Sequence, residues 1–174
     1  MSLRPRSPRS LSLWSLLALL SFSWACERGD LPQVLAAGDR TQKTRIYLVS
    51  LERGKASGPE SGCGGNLEAL EIDLPVPTPA LRGSLNALLA AGERYESAGF
   101  YNSLAHSPLR LERIERKGGS AKVYLTGYLE LSGDCDGARA LEQLTRTATQ
   151  FADVQRANFF LDGKPLQDLL SGKG

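Results

Sequence analysis

Three cysteines, Cys26, Cys63 and Cys135, are the residues of this chain best placed to do chemistry. Cys26 stands directly behind an apolar run. Leu11–Trp24 is apolar with interspersed serines, preceded by Arg4, Arg6 and Arg9 and followed by Ala25. A basic start, a short apolar stretch and a small-residue cleavage site are the parts of an export signal. The run is shorter than the roughly 20 apolar residues that span a bilayer, so residues 1–25 read as a cleaved signal peptide, not a permanent span. A thiol at the first position after such a cut is where bacterial lipoproteins carry their lipid, and Cys26 is the expected lipidation site. Ser23 and Ala25 also suit an ordinary signal peptidase acting on the same bond, which leaves a soluble exported protein as the alternative. Acyl chains on Cys26 would hold the protein at a membrane, because each buried methylene contributes ~0.8 kcal/mol.

Cys63 and Cys135 are left as an even pair. They lie in Ser61-Gly-Cys-Gly-Gly65 and Gly133-Asp-Cys-Asp-Gly137, both loop-like settings. Two loop cysteines in an exported protein read as a disulfide. Metal binding competes poorly, since two cysteines and the single His106 offer too few ligands at no recognised spacing. No metal and no cofactor are expected. His106, in a polar loop near Pro108, reads as a surface residue, and Ser103 and Ser107 lack a nucleophile motif. Ser132-x-Asp134-x-Asp136-Gly137 imitates the start of a calcium loop, but Gln143 stands where the bidentate glutamate belongs. Asp134 and Asp136 are instead expected to cap the helix that follows. No catalytic constellation appears, so the chain reads as a non-enzyme. A net charge of +2 with interspersed acids and bases gives no reason to expect nucleic acid.

The elements that position these residues follow from periodicity. Residues 26–43 mix charges with Gly29, Pro32 and Gly38 and read as a tether. A domain is expected over 44–166, with 167–174 as a tail. Arg45–Leu51 is rich in strand formers, and Leu67–Leu74 places Leu70, Ile72 and Leu74 on one side of a second strand. Thr78-Pro79 reads as N-cap and first helical residue, followed by Leu81, Leu85, Leu88 and Leu89 at helical spacing and a stop at Gly92. Tyr95, Phe100 and Tyr101 are expected in core or lid packing. Leu109–Lys117, a Gly118-Gly119 turn and Ala121–Leu131 read as a hairpin. On its second strand Val123, Leu125, Leu129 and Leu131 point one way, and Tyr124, Thr126 and Tyr128 the other. Ala138, Leu141, Leu144, Ala148 and Phe151 mark an amphipathic helix, and Val154–Leu161 a last strand closed by Asp162-Gly163. The class is α+β, a mostly antiparallel sheet with two helices packed on one face.

Several segments resemble the GerMN domain, a module of bacterial spore germination and sporulation proteins. They are the opening strand Ile46-Tyr47-Leu48, the helix end Leu85–Gly92, the hairpin strand Ala121–Thr126 and the closing stretch Leu141–Phe151, Val154, Asn158–Gly163 and Pro165. The resemblance covers Ile46–Pro165. It implies an architecture related to ring-building modules, and hence contact with envelope proteins or self-association through a sheet face or edge. The Tyr124, Thr126, Tyr128 face is the expected contact surface. A small-ligand or cell-wall-polymer binding protein, with tyrosines stacking on sugar rings, is the alternative.

Overall fold

The computed structural model describes residues 40–51, 58–61, 64–95 and 99–170. Strands β1 (Thr41–Ser50) and β2 (Asn66–Pro75) pair antiparallel, from Thr41 opposite Pro75 to Ser50 opposite Asn66. Thr41–Lys43, expected in the tether, are therefore part of the folded sheet. Ile46 and Leu48 enter the main core. Tyr47 and Val49, on the other face, join Leu67 and Tyr101 in a second small cluster. Burial on both faces explains why residues 46–49 form an unbroken apolar run. The short pair β3 (Arg94–Tyr95) and β4 (Phe100–Tyr101) completes a four-stranded sheet of order β2-β1-β4-β3.

Between them lies α1 (Ala80–Ala90). It starts one residue later than its sequence predicts. Pro79, with ψ 123°, is the N-cap and not the first helical residue, and no side chain caps the helix. The carbonyl of Pro79 instead accepts the first helical bond from the Gly83 N–H at 2.8 Å. Leu81, Leu85 and Leu88 face the core.

The second half builds a separate sheet. Strands β5 (Arg110–Lys117), β6 (Ser120–Thr126), β7 (Arg156–Leu161) and β8 (Lys164–Pro165) lie in that order. Helix α2 (Asp136–Thr149) carries the chain from β6 to β7. The strands it joins run parallel, because a helical crossover returns the chain in its original direction. The other strand pairs of both sheets are antiparallel. Asp162 (φ 47°) and Gly163 (φ 82°) make the two-residue turn from β7 to β8. Residues Leu166–Leu170, taken from sequence as the edge of a tail, form a short helix α3 with Leu166 fully buried. One core joins everything. Ile46 and Leu48 of the first sheet meet Leu85 and Leu88 of α1, Leu144 and Ala148 of α2, and Val123, Leu125 and Phe159 of the second sheet.

β6 ends at Thr126, not at Leu131. Gly127 has φ 119°, and a Cβ there would lie 2.2 Å from the Pro108 carbonyl oxygen. Only glycine fits this approach, and the chain leaves the sheet at that point.

Candidate interaction surface

Among the described residues, no helix covers the outer face of the second sheet. Three rows of residues cross it, set by the register of β5, β6 and β7. They are Lys117–Ser120–Arg156, Glu115–Lys122–Asn158 and Arg113–Tyr124–Phe160. The last row is the most organised. The Tyr124 and Phe160 rings stack with centroids 5.2 Å apart and planes at 19°. On the opposite side the Arg113 guanidinium lies 3.5 Å from the Tyr124 ring centre. The Tyr124 hydroxyl donates to Glu115 Oε2 at 3.2 Å, while Glu115 Oε1 accepts from Arg113 Nε at 3.1 Å. The ring is thus flanked by neighbours from both adjacent strands, an arrangement that cation–π and aromatic packing favour.

This corrects the surface expected from sequence. Tyr124 and Thr126 are half-buried on β6, but Tyr128 lies past Gly127, outside the strand and 60% exposed. The three do not form one strand row. Tyr128 instead borders a separate cavity of about 410 Å3, lined by Gly127, Leu129, Leu161, Asp162, Lys164 and Leu169. Sequence reasoning missed Arg113 and Phe160, because which residues flank Tyr124 depends on strand neighbours distant in the chain.

The other candidates are occupied structurally. Asp136 is buried, and its Oδ2 accepts from the Tyr101 hydroxyl at 2.8 Å and from the Ser132 N–H at 3.1 Å. It opens α2 without a side-chain cap, and Asp134 is exposed. The expected capping role is therefore wrong. Asp136 instead fixes the loop before the helix and ties it to Tyr101. Burial first, and then the Asp136 carboxylate, raises the Tyr101 hydroxyl above its ordinary pKa of 10.0. Ser107 Oγ donates to the Glu130 carbonyl at 3.0 Å and accepts from the Glu130 N–H at 2.9 Å, clasping the segment that follows Gly127. The Ser103 N–H donates to Gln143 Oε1 at 3.0 Å. His106 is exposed, with Nε2 3.6 Å from Glu93 Oε2. Phe100 packs against the core and Tyr101 within the smaller cluster. No group of three His, Cys, Asp or Glu side chains among the described residues could hold a metal ion.

Cys135 takes part in a disulfide at the start of α2. Cys26 and Cys63 both lie outside the described residues. No helix among the described residues is long and apolar enough to cross a membrane.

The Germane family model, described as sporulation and spore germination, matches residues 66–167. That is more than half of the chain. This chain belongs to the Germane family. Among solved structures, the Germane domain is similar to the tandem GerMN domains of the sporulation protein GerM from Bacillus subtilis. The TM-score is 0.53 at 12% identity, covering 71% of this chain and 40% of that one. This likeness shows the fold alone, and the chain spans well under two thirds of the GerM structure. A candidate lipoprotein from Clostridium perfringens matches with TM-score 0.41 and 17% identity, over 71% of this chain and 76% of that one. No curated protein matches the chain.

Proposed function

We propose that this Germane chain is a non-catalytic module of the cell envelope, held at the membrane by a lipid on Cys26, and that it works by contact with other proteins. The uncovered outer face of the second sheet carries this reading. Its Arg113–Tyr124–Phe160 row is pre-organised, and rigid aromatic and arginine side chains are the usual anchors of protein interfaces. Family membership and the signal-like residues ahead of Cys26 support it. Cys63 is the proposed partner of Cys135. Arg139 Nη2 donates to the Gly64 carbonyl at 3.1 Å, which brings the residue after Cys63 to the first turn of α2.

Intact mass of the chain from its native membrane fraction, with and without reductant, tests the anchor and the bridge. The expected result is a lipid-sized increase on a chain beginning at Cys26, with two hydrogens gained on reduction. An unmodified chain with three free thiols would sink both. Crosslinking in intact cells tests the contact role. Loss of the crosslinked partner on Tyr124→Ala is expected, and an unchanged crosslinking pattern would count against this face.

A second reading, binding of a cell-wall polymer or small ligand, draws on Tyr128. Its exposed ring at the lip of an apolar cavity is free to stack, whereas Tyr124 is flanked on both sides. That reading requires the melting temperature to rise with cell-wall fragments and the rise to vanish in Tyr128→Ala.

A further inference from the structure

We propose that β5 is a homodimerisation edge, pairing antiparallel with β5 of a second copy about Ile114. This deepens the protein-contact reading above, rests on it, and names the partner as the same chain. β5 ends its sheet, with no strand beyond it among the described residues. It is 8 residues long and largely exposed, reading Arg-Leu-Glu-Arg-Ile-Glu-Arg-Lys over 110–117.

Edge charges usually repel a further strand. Here the order of signs repeats across Ile114, so each charge has its opposite at the same distance on the other side. Glu112 and Arg113 precede it, and Glu115 and Arg116 follow it. When the strand meets itself antiparallel with Ile114 opposite Ile114, Arg113 faces Glu115 and Glu112 faces Arg116, on both sides of the two-fold axis. Facing residues also share a face of the sheet. A shift of one residue either way sets Glu112 against Glu115, or Arg113 against Arg116. A shift of two sets Arg113 against Arg113, or Glu115 against Glu115. A parallel, in-register pairing opposes like charges throughout. Within two residues of it no other register is matched, and cross-strand charge pairs of this kind select register. A shift of three one way also opposes unlike charges but centres on the bulge at Glu112, where Arg82 occupies the edge carbonyls. The other way it keeps only Glu115 against Arg116 and sets Ile114 against Lys117.

The surroundings fit a second strand. Ile114 lines a shallow cavity of about 170 Å3 beside the edge, with Pro79, Leu81, Arg82 and Arg116. The second copy's Ile114 would enter it. Arg113 pairs within its own strand with Glu115 at 3.1 Å and with Glu112 at 3.5 Å, so the carboxylates needed in trans are already at its head group. Arg82 reaches the Leu111 and Glu112 carbonyls at 3.5 and 3.3 Å, beside the bulge between Leu111 and Arg113. This contact marks one end of the pairing, which spans 112–116 in each copy. The product is an isologous dimer with one continuous eight-stranded sheet, four strands from each copy. Chains confined to a membrane surface meet at high effective concentration, which favours so short an interface.

The test uses two double variants of opposite sign in the full chain, each checked for a wild-type melting curve. Arg113→Glu with Arg116→Glu makes the edge acidic, and Glu112→Arg with Glu115→Arg makes it basic. Native mass spectrometry over a concentration series should show a wild-type dimer that weakens with salt. Each variant alone should dimerise at least about tenfold more weakly, since all facing pairs become like-charged. An equimolar mixture should restore a heterodimer, although the pairs within each strand stay broken. If a variant folds poorly, Arg113→Glu alone still opposes like charges and should weaken the dimer. A mixture that stays monomeric overturns the proposal, as does a wild-type chain monomeric throughout. A wild-type oligomer that neither variant disturbs also overturns it, while leaving protein contact through another surface standing.

Discussion

The free edges of β1 and β5 are managed in opposite ways. Beyond residues 49 and 50, β1 has no strand among the described residues on the side away from β2, yet its backbone is not bare. Helix α2 lies along it and offers side chains in place of a strand. Gln150 accepts from the Arg45 N–H at 3.2 Å and donates to the Arg45 carbonyl at 2.7 Å. Thr147 accepts from the Tyr47 N–H at 3.2 Å, and Gln143 donates to the Tyr47 carbonyl at 3.2 Å. Two polar residues on successive turns of α2 and the Gln150 at its C-cap thus reproduce a strand's hydrogen-bonding ladder. At β5 the described residues offer far less: Arg82 reaches the edge carbonyls at one end, and Asp153 pairs with the Arg116 side chain at 2.6 Å. A sheet edge whose backbone groups are satisfied by a helix is closed to pairing, and one protected mainly by charged side chains is open to whatever complements them. The first sheet is the scaffold, and the second is the one that presents a surface.

The comparison can be broken most severely by freeing α2 from the first sheet. Reduction of the Cys135 disulfide removes a covalent tie at the head of the helix. For a Cys63 partner the chain-entropy argument puts the loss at roughly 4 kcal/mol. Denaturant titration with and without reductant measures it, and coincident curves would mean that the polar ladder suffices. Gln143→Leu comes next. It orphans the buried Tyr47 carbonyl and Ser103 N–H, at about 3 kcal/mol for the two. A loss below about 1 kcal/mol would show that water replaces the amide. Thr147→Val, nearly isosteric, removes one acceptor and should cost about 1 kcal/mol by the same assay.

Tyr101→Phe sharpens the comparison through pH. The Tyr101 hydroxyl is raised above 10.0 in the fold, so its protonated form is the one that stabilises. That contribution is complete below pH 10 and is lost as pH rises through the raised value. Wild type should therefore lose stability above pH 10 that the phenylalanine variant, already weaker at neutral pH, does not lose. Parallel stability curves for the two from pH 9 to 11 would remove Tyr101 from the argument. Arg82→Ala has the smallest expected effect. Folding stability should change by less than about 0.5 kcal/mol, while self-association through β5 holds or tightens. Weaker association would show that the Arg82 wall of the Ile114 cavity strengthens the contact.

Much of the fold was legible. The apolar spacing of α1 and α2, the alternation of β2 and the Gly118-Gly119 hairpin are local patterns, and local patterns survive into the structure. The end of β6 was not legible. Leu129 and Leu131 continue the alternation of Val123 and Leu125, and only the Pro108 carbonyl against Gly127 stops the strand. Nor was the ladder on α2, although it left a trace. Gln143 and Thr147 interrupt the helix's apolar stripe and are fully buried. Polar residues on a core-facing stripe require partners, and here the partner is the β1 backbone.

The sequence by itself determined the export-like start, the α+β class and the family resemblance, because these rest on composition, period and short motifs. Tertiary structure alone decided that the strands divide into two sheets, that β6 and β7 run parallel, and that Tyr124 keeps company with Arg113 and Phe160 while Tyr128 does not. Alternation says which side of a strand is buried. It says nothing about which strand lies beside it, because that choice is made by long-range packing of helices that the strand's own residues do not encode.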